Sequence, residues 1–420
     1  MKILYVSQYF PPEMGAPAAR VSELARHWVH SGHEVNVLTG FPNHPTGVVP
    51  PDYRAKLRRV ICREQFDGVS VIRTWLLPLP NRKTHERILN YGSFCLSSCL
   101  TGTFMARPDV IIATSPQLLV GLTGWWLGLA KRVPFILEVR DLWPESLSAV
   151  GVKGETSTLT RSLGRLAKFL YRSCSHVVVV SPAFKEQLVQ KWNVNPEKIS
   201  VVENGVESDF FSSDGHSDIK ESEPEFRGKF VVSYVGTLGN ACGLGVALDA
   251  AAQLQTILPD VLFLFVGEGA EKEQLVSLAQ RQGLRNVRFL PQQSRDKIPA
   301  LIQASDLCLV LLKKADVFKT VIPTKMLESM ACARPVILGV DGQAREILEK
   351  ARGGIFIEPE NATALVAAII RLYQDPGLRQ VLGCNGRRYI AGHLSRERLA
   401  TVYSNVLEKL VLNGNQHSRS

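Results

Sequence analysis

Pro-Thr-Lys-Met-Leu-Glu-Ser-Met-Ala-Cys-Ala-Arg-Pro-Val-Ile-Leu-Gly, residues 323–339, reads as a loop carrying one cation, a helix, and a turn into a buried strand. Pro323 suits a first helical turn, where its missing N–H costs nothing. Thr324 is the expected N-cap, and a helix starting beside it presents free amide N–H groups and a partial positive charge. Lys325 adds a full charge at the same end, and Glu328 places a carboxylate about a turn further in. An amide-rich helix start beside a lysine suits a phosphate, and a neighbouring carboxylate suits a sugar diol. The same residues also fit an ordinary strand–helix–strand connection with surface charge.

Outward from this stretch, apolar strand-like runs alternate with helical patterns along the chain. Residues 3–7, 34–39, 69–74, 110–113, 135–139 and 177–181 form one series; 230–235, 262–266, 287–290, 307–311, 336–338 and 354–357 form a second. Continuous apolar strands separated by helices indicate parallel sheets covered on both faces. Two series predict an α/β protein of two doubly wound halves, residues 1–205 and 206–394. Asn204-Gly205-Val206 and the polar, aperiodic stretch 212–227 read as a mobile join between them. A last helix, about 395–412, carries Leu399, Val402, Tyr403, Val406 and Leu410 at helical spacing and is expected to pack back on the first half.

The chain has 420 residues, too many for one core, with 45% hydrophobic and 21% charged residues as in a water-soluble globular protein. Its net charge of +10 favours a polyanionic partner, an acidic membrane surface or a phosphorylated substrate. The Lys and Arg are scattered rather than striped, which disfavours nucleic acid. The eight cysteines include no Cys-x-x-Cys pair and lie mostly in apolar runs, as expected of reduced thiols in a cytosolic protein. Met1-Lys2 leads straight into a strand and Pro11-Pro12 soon follows, so no signal peptide is expected.

Between Arg87 and Arg107 no charge occurs, and Arg82, Lys83, His85 and Arg87 crowd the preceding turn. Asn90, Gly92 and several Ser and Thr make the run too polar to span a membrane. It reads either as a helix covering the first sheet or as one lying against a membrane.

In open parallel sheets ligands bind beyond the carboxyl ends of the strands. The first such loop holds Gly15, where backbone can approach a ligand closely. The Gly-x-Gly-x-x-Gly spacing and its acidic partner are absent, which disfavours a nicotinamide-dependent oxidoreductase. Residues 236–243, opening on Gly236 and Thr237, can turn several N–H groups towards a phosphate. Gly267 and Gly269 flank Glu268 after another buried strand and are expected to leave room for a ligand. In the first half, Glu138, Arg140, Asp141 and Glu145 crowd one strand end, which requires pairing or solvation in a cleft. Asn43 and His44 belong to a loop near the same sheet edge.

These motifs together resemble the retaining GT-B glycosyltransferases of family 4, whose two Rossmann-like domains face a cleft. Within them the chain is similar to the bacterial O-antigen, capsule and exopolysaccharide branch that includes N-acetyl-fucosaminyl transferases. The similarity rests on Ser7-Gln8-Tyr9-Phe10-Pro11-Pro12-Glu13, residues 138–146, Asn204-Gly205-Val206, Gly236-Thr237, and Pro323-Thr324-Lys325 through Glu328. The resemblance implies Glu328 on the nucleotide ribose, Thr324 and Lys325 near the donor diphosphate, and Gly15 closing over it. It places Gly267, Glu268 and the backbone around Leu290 at the base. Arg140 and Asp141 fall where the family has an acceptor-side or catalytic group, with Asn43, His44, Glu138 and Glu145 beside the acceptor.

Three departures stand out. The family pattern has a second glutamate eight positions before Glu328, where this chain has Thr320; Thr237 and Cys242 stand where many members have Arg and Lys; Arg140 stands for a histidine. Leaving-group charge must then fall on Lys325, backbone amides or a further basic residue. Asp-x-Asp occurs nowhere, so no metal and no cofactor beyond the nucleotide-sugar donor, a UDP-sugar, is expected. The implied acceptor is a saccharide on polyprenyl diphosphate, met by a peripheral protein at the cytoplasmic face of the bacterial plasma membrane. A nucleotide-sugar epimerase of the same fold, or a nucleotide binder without turnover, remain the alternatives.

Overall fold

Strands that are mostly apolar and buried build two sheets. In this computed structural model, which describes residues 1–44, 46–80, 83–143, 158–212, 220 and 226–417, they fall into two units, Met1–Glu203 with the chain from Arg396 onward, and Asn204–Ser395. The first unit has eight strands: β1 (Lys2–Val6), β2 (Glu34–Gly40), β3 (Ile61–Phe66), β4 (Val69–Thr74), β5 (Val110–Thr114), β6 (Phe135–Val139), β7 (His176–Val179) and β8 (Ile199–Val201). Their order is β3-β4-β2-β1-β5-β6-β7-β8. The second unit has β9 (Phe230–Val235), β10 (Val261–Val266), β11 (Val287–Leu290), β12 (Leu307–Leu311), β13 (Val336–Gly339) and β14 (Gly354–Phe356), ordered β11-β10-β9-β12-β13-β14. Every pairing is parallel except β3 with β4.

Period-two alternation sorts β1 between two cores. Leu4 and Val6 join Ile111, Phe135 and Leu137 on one face; Ile3 and Tyr5 join Trp28 and Tyr403 on the other. The second face is covered partly by the helix Arg396–His417, which runs five residues past the expected end. Trp28 Nε1 donates to the Ala400 carbonyl at 3.0 Å, and Arg396 pairs with Glu23 at 2.8 Å. The second unit divides in the same way, with Val232 and Tyr234 on one side of β9 and Val231 on the other.

Two elements depart from expectation, β3 and the short strand β8. β3 was not anticipated, because Cys62, Arg63, Glu64 and Gln65 break the apolar pattern of an interior strand. It is an antiparallel edge strand, turned onto β4 by Asp67 (φ 49) and Gly68 (φ 80). The Asp-Gly pair is itself a hairpin signal. The stretch 212–227 lies mostly outside the described residues.

The uncharged segment forms the helix Thr84–Thr103, whose Phe94, Cys95, Ser98 and Thr101 face inward and which packs beside the helix Val120–Lys131. Its inward face thus covers the first sheet. No described helix is long and apolar enough to cross a membrane. All eight cysteines are free thiols, five of them buried.

Candidate active site

Each sheet reverses its strand order once, between β1 and β5 and between β9 and β12. Ligands of doubly wound sheets sit beyond the carboxyl ends of the strands at such points. In the second unit the helix Thr324–Ala331 lies on the β12-to-β13 crossover, and its Lys325 reaches back to the end of β9. The ammonium donates to the Tyr234 hydroxyl and lies 3.9 Å from the centre of the Tyr234 ring. The hydroxyl in turn donates to the Thr237 carbonyl at 2.9 Å. Burial holds the Lys325 ammonium below its ordinary pKa, with Cys242 and Glu328 pulling the other way. Gly236 (φ 145) holds a backbone conformation that L side chains rarely adopt, and a Cβ there would crowd Lys325 Nζ at 2.9 Å. Tyr234 is a residue that sequence reasoning passed over, because an aromatic inside an apolar strand carries no mark of function.

Thr324 is the first helical residue rather than the N-cap; extended Pro323 precedes it, and no side chain caps this helix start. Glu328 follows one turn later on the same helix, half-buried. Thr320 ends the short helical turn Asp316–Thr320, with its hydroxyl on the Val317 carbonyl at 3.1 Å. The space expected beside Gly267 and Gly269 is filled by backbone. A Cβ at Gly267 would sit 2.0 Å from the Gly236 carbonyl oxygen, and one at Gly269 2.2 Å from that of Leu238. These glycines let two loops zip together through Gly236 N to Val266 O and Leu238 N to Glu268 O, both 2.9 Å. Glu268 points to solvent and pairs with Lys272 at 2.6 Å, while the Leu290 carbonyl accepts from Gly267 N at 3.2 Å.

In the first unit, Gly15 (φ 128) turns the chain into the helix Ala16–His30. Two residues earlier, Glu13 is buried and its Oε1 accepts from the backbone N–H groups of Asn43 (2.8 Å) and His44 (2.9 Å). Asn43 is wholly engaged inside, with the Phe41 carbonyl at 2.9 Å and Asn90 at 3.1 Å, whereas His44 is exposed beside Tyr9. Glu138 is corrected likewise. It is fully buried, bonded by Arg20 at 2.9 Å and the Tyr5 hydroxyl at 2.7 Å, and has no face for a ligand. Arg140 differs. Its Nε and Nη1 are shut off from water and meet no acceptor among the described residues, which is costly unless an anion supplies one. Burial and then the Arg20 charge bring its guanidinium down to about 10, so it stays cationic at neutral pH. Burial pushes Asp141 up to about 6 against the Arg140 charge. Glu145 lies outside the described residues.

Burial raises Glu13 from 4.5 to about 7, against its two backbone hydrogen bonds and Arg73. A carboxyl whose folded pKa is raised stabilises below its unfolded value and loses that contribution as pH rises through the folded one. At about 1.4 kcal/mol per pH unit, the loss amounts to roughly 3 kcal/mol between about pH 4.5 and 7. Glu13→Gln keeps an acceptor for Asn43 and His44 without the charge. Its Tm is expected to gain on the parent's as pH rises from about 4.5 to 7 and to keep that lead above, and parallel Tm–pH curves would refute the assignment.

Residues 15–205 match the family described as Glycosyl transferase 4-like domain, and residues 216–389 match Glycosyl transferases group 1. Together the matches take in most of the chain. The chain belongs to the glycosyltransferases. Across 420 aligned residues this glycosyltransferase is 27% identical to an Escherichia coli (strain K12) protein described as a colanic acid biosynthesis glycosyl transferase, WcaI, covering 96% of this chain and 99% of that one. Its fold is that of sucrose-phosphate synthase from Thermosynechococcus elongatus (TM-score 0.76, 20% identity, 98% and 99% covered). It is also that of Anabaena Alr3699/HepE, solved with UDP-glucose (TM-score 0.72, 20% identity, 98% and 100% covered). The two Rossmann-like units of this glycosyltransferase are therefore those of the GT-B fold.

Proposed function

We propose that this glycosyltransferase moves a sugar, an N-acetylated or deoxy amino sugar, from a UDP-type donor to a saccharide on polyprenyl diphosphate, with retention of anomeric configuration. The observation that carries the reading is Lys325, held by Tyr234 at the Gly236 turn where the second sheet reverses order. When the anomeric C–O bond breaks, its electron pair leaves with the diphosphate. Lys325 and the uncapped N–H groups at Thr324 are donors aimed at that charge. Glu328 would take the ribose hydroxyls. The relatives support the donor and pathway: HepE was solved with UDP and with UDP-glucose, and WcaI is described as acting in colanic acid biosynthesis. No Asp-x-Asp pair stands in the sequence, so the reading needs no bound metal.

Calorimetric titration with a panel of UDP-sugars, followed by transfer to a lipid-linked acceptor, tests this. Glu328→Gln is expected to weaken donor binding by roughly 1.5–3 kcal/mol, the worth of a charged hydrogen bond. Unchanged affinity would remove Glu328 from the site. An altered sugar without glycoside would identify an epimerase, and binding without transfer to any acceptor a non-catalytic binder.

The membrane part of the reading rests on the helix Thr84–Thr103 and its neighbour. Leu96 (75% exposed), Leu100 (65%) and Phe104 (83%) repeat every four residues and continue the stripe with Leu129 (63%) and Trp126. Lys131, Arg132 and Arg107 stand at the same end, where Lys131 Nζ donates to the Met105 carbonyl at 2.7 Å. An apolar stripe with a basic end suits the interface of an anionic leaflet. Leu100→Gln with Phe104→Gln is expected to lower flotation with anionic vesicles at least tenfold, by the roughly 1.5–3 kcal/mol of each apolar side chain. Parent protein that stays off such vesicles at physiological salt would point to a soluble acceptor.

A further inference from the structure

The motif Tyr9-Phe10-Pro11-Pro12-Glu13 ends on an acid that has no part in the transfer of a sugar. Glu13 is 9% exposed and stands where the loop after β1 meets the loop after β2. Its Oε1 accepts two backbone N–H groups of the second loop, from Asn43 at 2.8 Å and His44 at 2.9 Å. Its Oε2 is shut off from water and meets no donor among the described residues. Gly15, two positions on, opens the helix Ala16–His30, so this one carboxyl group ties the Gly15 loop to the His44 loop.

The groups around Glu13 hold it without neutralising it. Arg73, from β4, is the cation that acts on it, but its donors go elsewhere: Nε to Glu64 at 2.5 Å, Nη1 to the Gly40 carbonyl at 3.1 Å, and Nη2 to the Pro11 carbonyl. On its own loop Tyr9 faces it, and burial keeps that phenol neutral. From the loop after β2, His44 brings a ring whose pKa burial, and then the Arg87 charge on the helix Thr84–Thr103, hold below the ordinary value. From that same helix Asn90 Nδ2 reaches the Asn43 side chain at 3.1 Å. With Glu13 neutral, Oε2 is one orphaned polar atom; with Glu13 ionised, it is part of a buried charge that no hydrogen bond meets, a far larger cost. Breaking the two N–H bonds admits water to Oε2 and removes that cost.

We propose that Glu13 is a proton-operated latch between the loops after β1 and β2, which holds the backbone of Asn43 and His44 when neutral and lets it go when ionised. The latch sets how firmly the exposed His44 ring is presented, whatever donor or acceptor the protein takes. Closed, Glu13 titrates at about 7; open and hydrated, it returns towards its ordinary 4.5. Opening should therefore become roughly 10²-fold more frequent between about pH 4.5 and 7 and level off above. Hydrogen exchange at the Asn43 and His44 N–H groups, divided at each pH by the unfolded-chain rate, reads this directly. Protection in the parent should fall over that interval. Exchange of the two at about pH 7.5 should be insensitive to urea below the unfolding transition, because a local opening exposes little surface, while the amides of β1 respond to it. Glu13→Gln, which keeps the acceptor, should leave protection level across the interval; His44→Gln, which removes the ring's own titration, should keep the fall at Asn43. Level protection in the parent, or the same fall in Glu13→Gln, overturns the proposal. So does exchange of Asn43 and His44 that follows the β1 amides at every urea concentration, which would leave Glu13 a determinant of the unit's global stability alone. If Glu13→Gln fails to fold, the pH and urea dependence of the parent decides.

Discussion

Replacing Lys325 by alanine is expected to lower kcat by about 10²–10³-fold, the usual cost of removing one donor from a site where negative charge develops. The geometry makes this lysine hard to replace. Its ammonium is fixed from two directions, by the hydroxyl and the ring face of Tyr234, beside the turn at Gly236 (φ 145). A donor fixed before the reaction needs no reorganisation when the diphosphate departs. Because diphosphate charge is present in the ground state and grows in the transition state, KM for the donor should rise as well, but by less than kcat falls. Tyr234→Phe keeps the ring and removes the hydroxyl, so its effect should be a smaller one in the same direction. Initial rates at saturating donor, with circular dichroism to show both variants folded, check the pair. Undiminished turnover by Lys325→Ala would remove the leaving group from this corner of the fold.

How far residues alone lead is visible at particular positions. The two sheets were readable because strands such as β10, and β1 after Lys2, are buried on both faces and therefore apolar. β3 escaped because an edge strand need not be apolar. Lys325 and Gly236 stood out separately as residue types; what joins them, Tyr234, did not. Glycines advertise close approach but not what approaches: at Gly267 it is the Gly236 carbonyl rather than a ligand. Glu138 shows the same limit. Its neighbours in sequence suggested a solvated cluster, whereas its partner Arg20 lies 118 positions away and is invisible to local pattern. Glu13 looked like one residue of a motif, and only the fold reveals that it holds the loop bearing His44.

Glu138→Gln is expected to cost the first unit about 3–5 kcal/mol, the penalty for removing one partner of a buried ion pair. Arg20 is 0% exposed and cannot turn to water. It already donates to the carbonyls of Val202 (2.9 Å) and Glu203 (2.8 Å), which satisfy its hydrogen bonds but not its charge. Arg140 would also lose the one carboxylate besides Asp141 that opposes its burial. For a unit of this size the cost corresponds to roughly 6–20 °C in the first thermal transition. Acid titration gives a second, independent readout. Burial alone would raise Glu138, but the Arg20 and Arg140 charges prevail and hold it below the ordinary carboxylate value. Its contribution is therefore present above that value and lost as pH falls through the depressed one, opposite in sign to Glu13. Glu138→Gln should flatten the acid limb of the stability profile, while Glu13→Gln lifts the neutral one. The double variant Arg20→Met with Glu138→Leu separates charge from packing: an unpaired guanidinium predicts that it recovers most of the lost stability, and lost shape predicts that it falls further. A Glu138→Gln protein with the parent's Tm and acid limb would mean that Arg20 and Glu138 do not meet out of solvent as a charged pair.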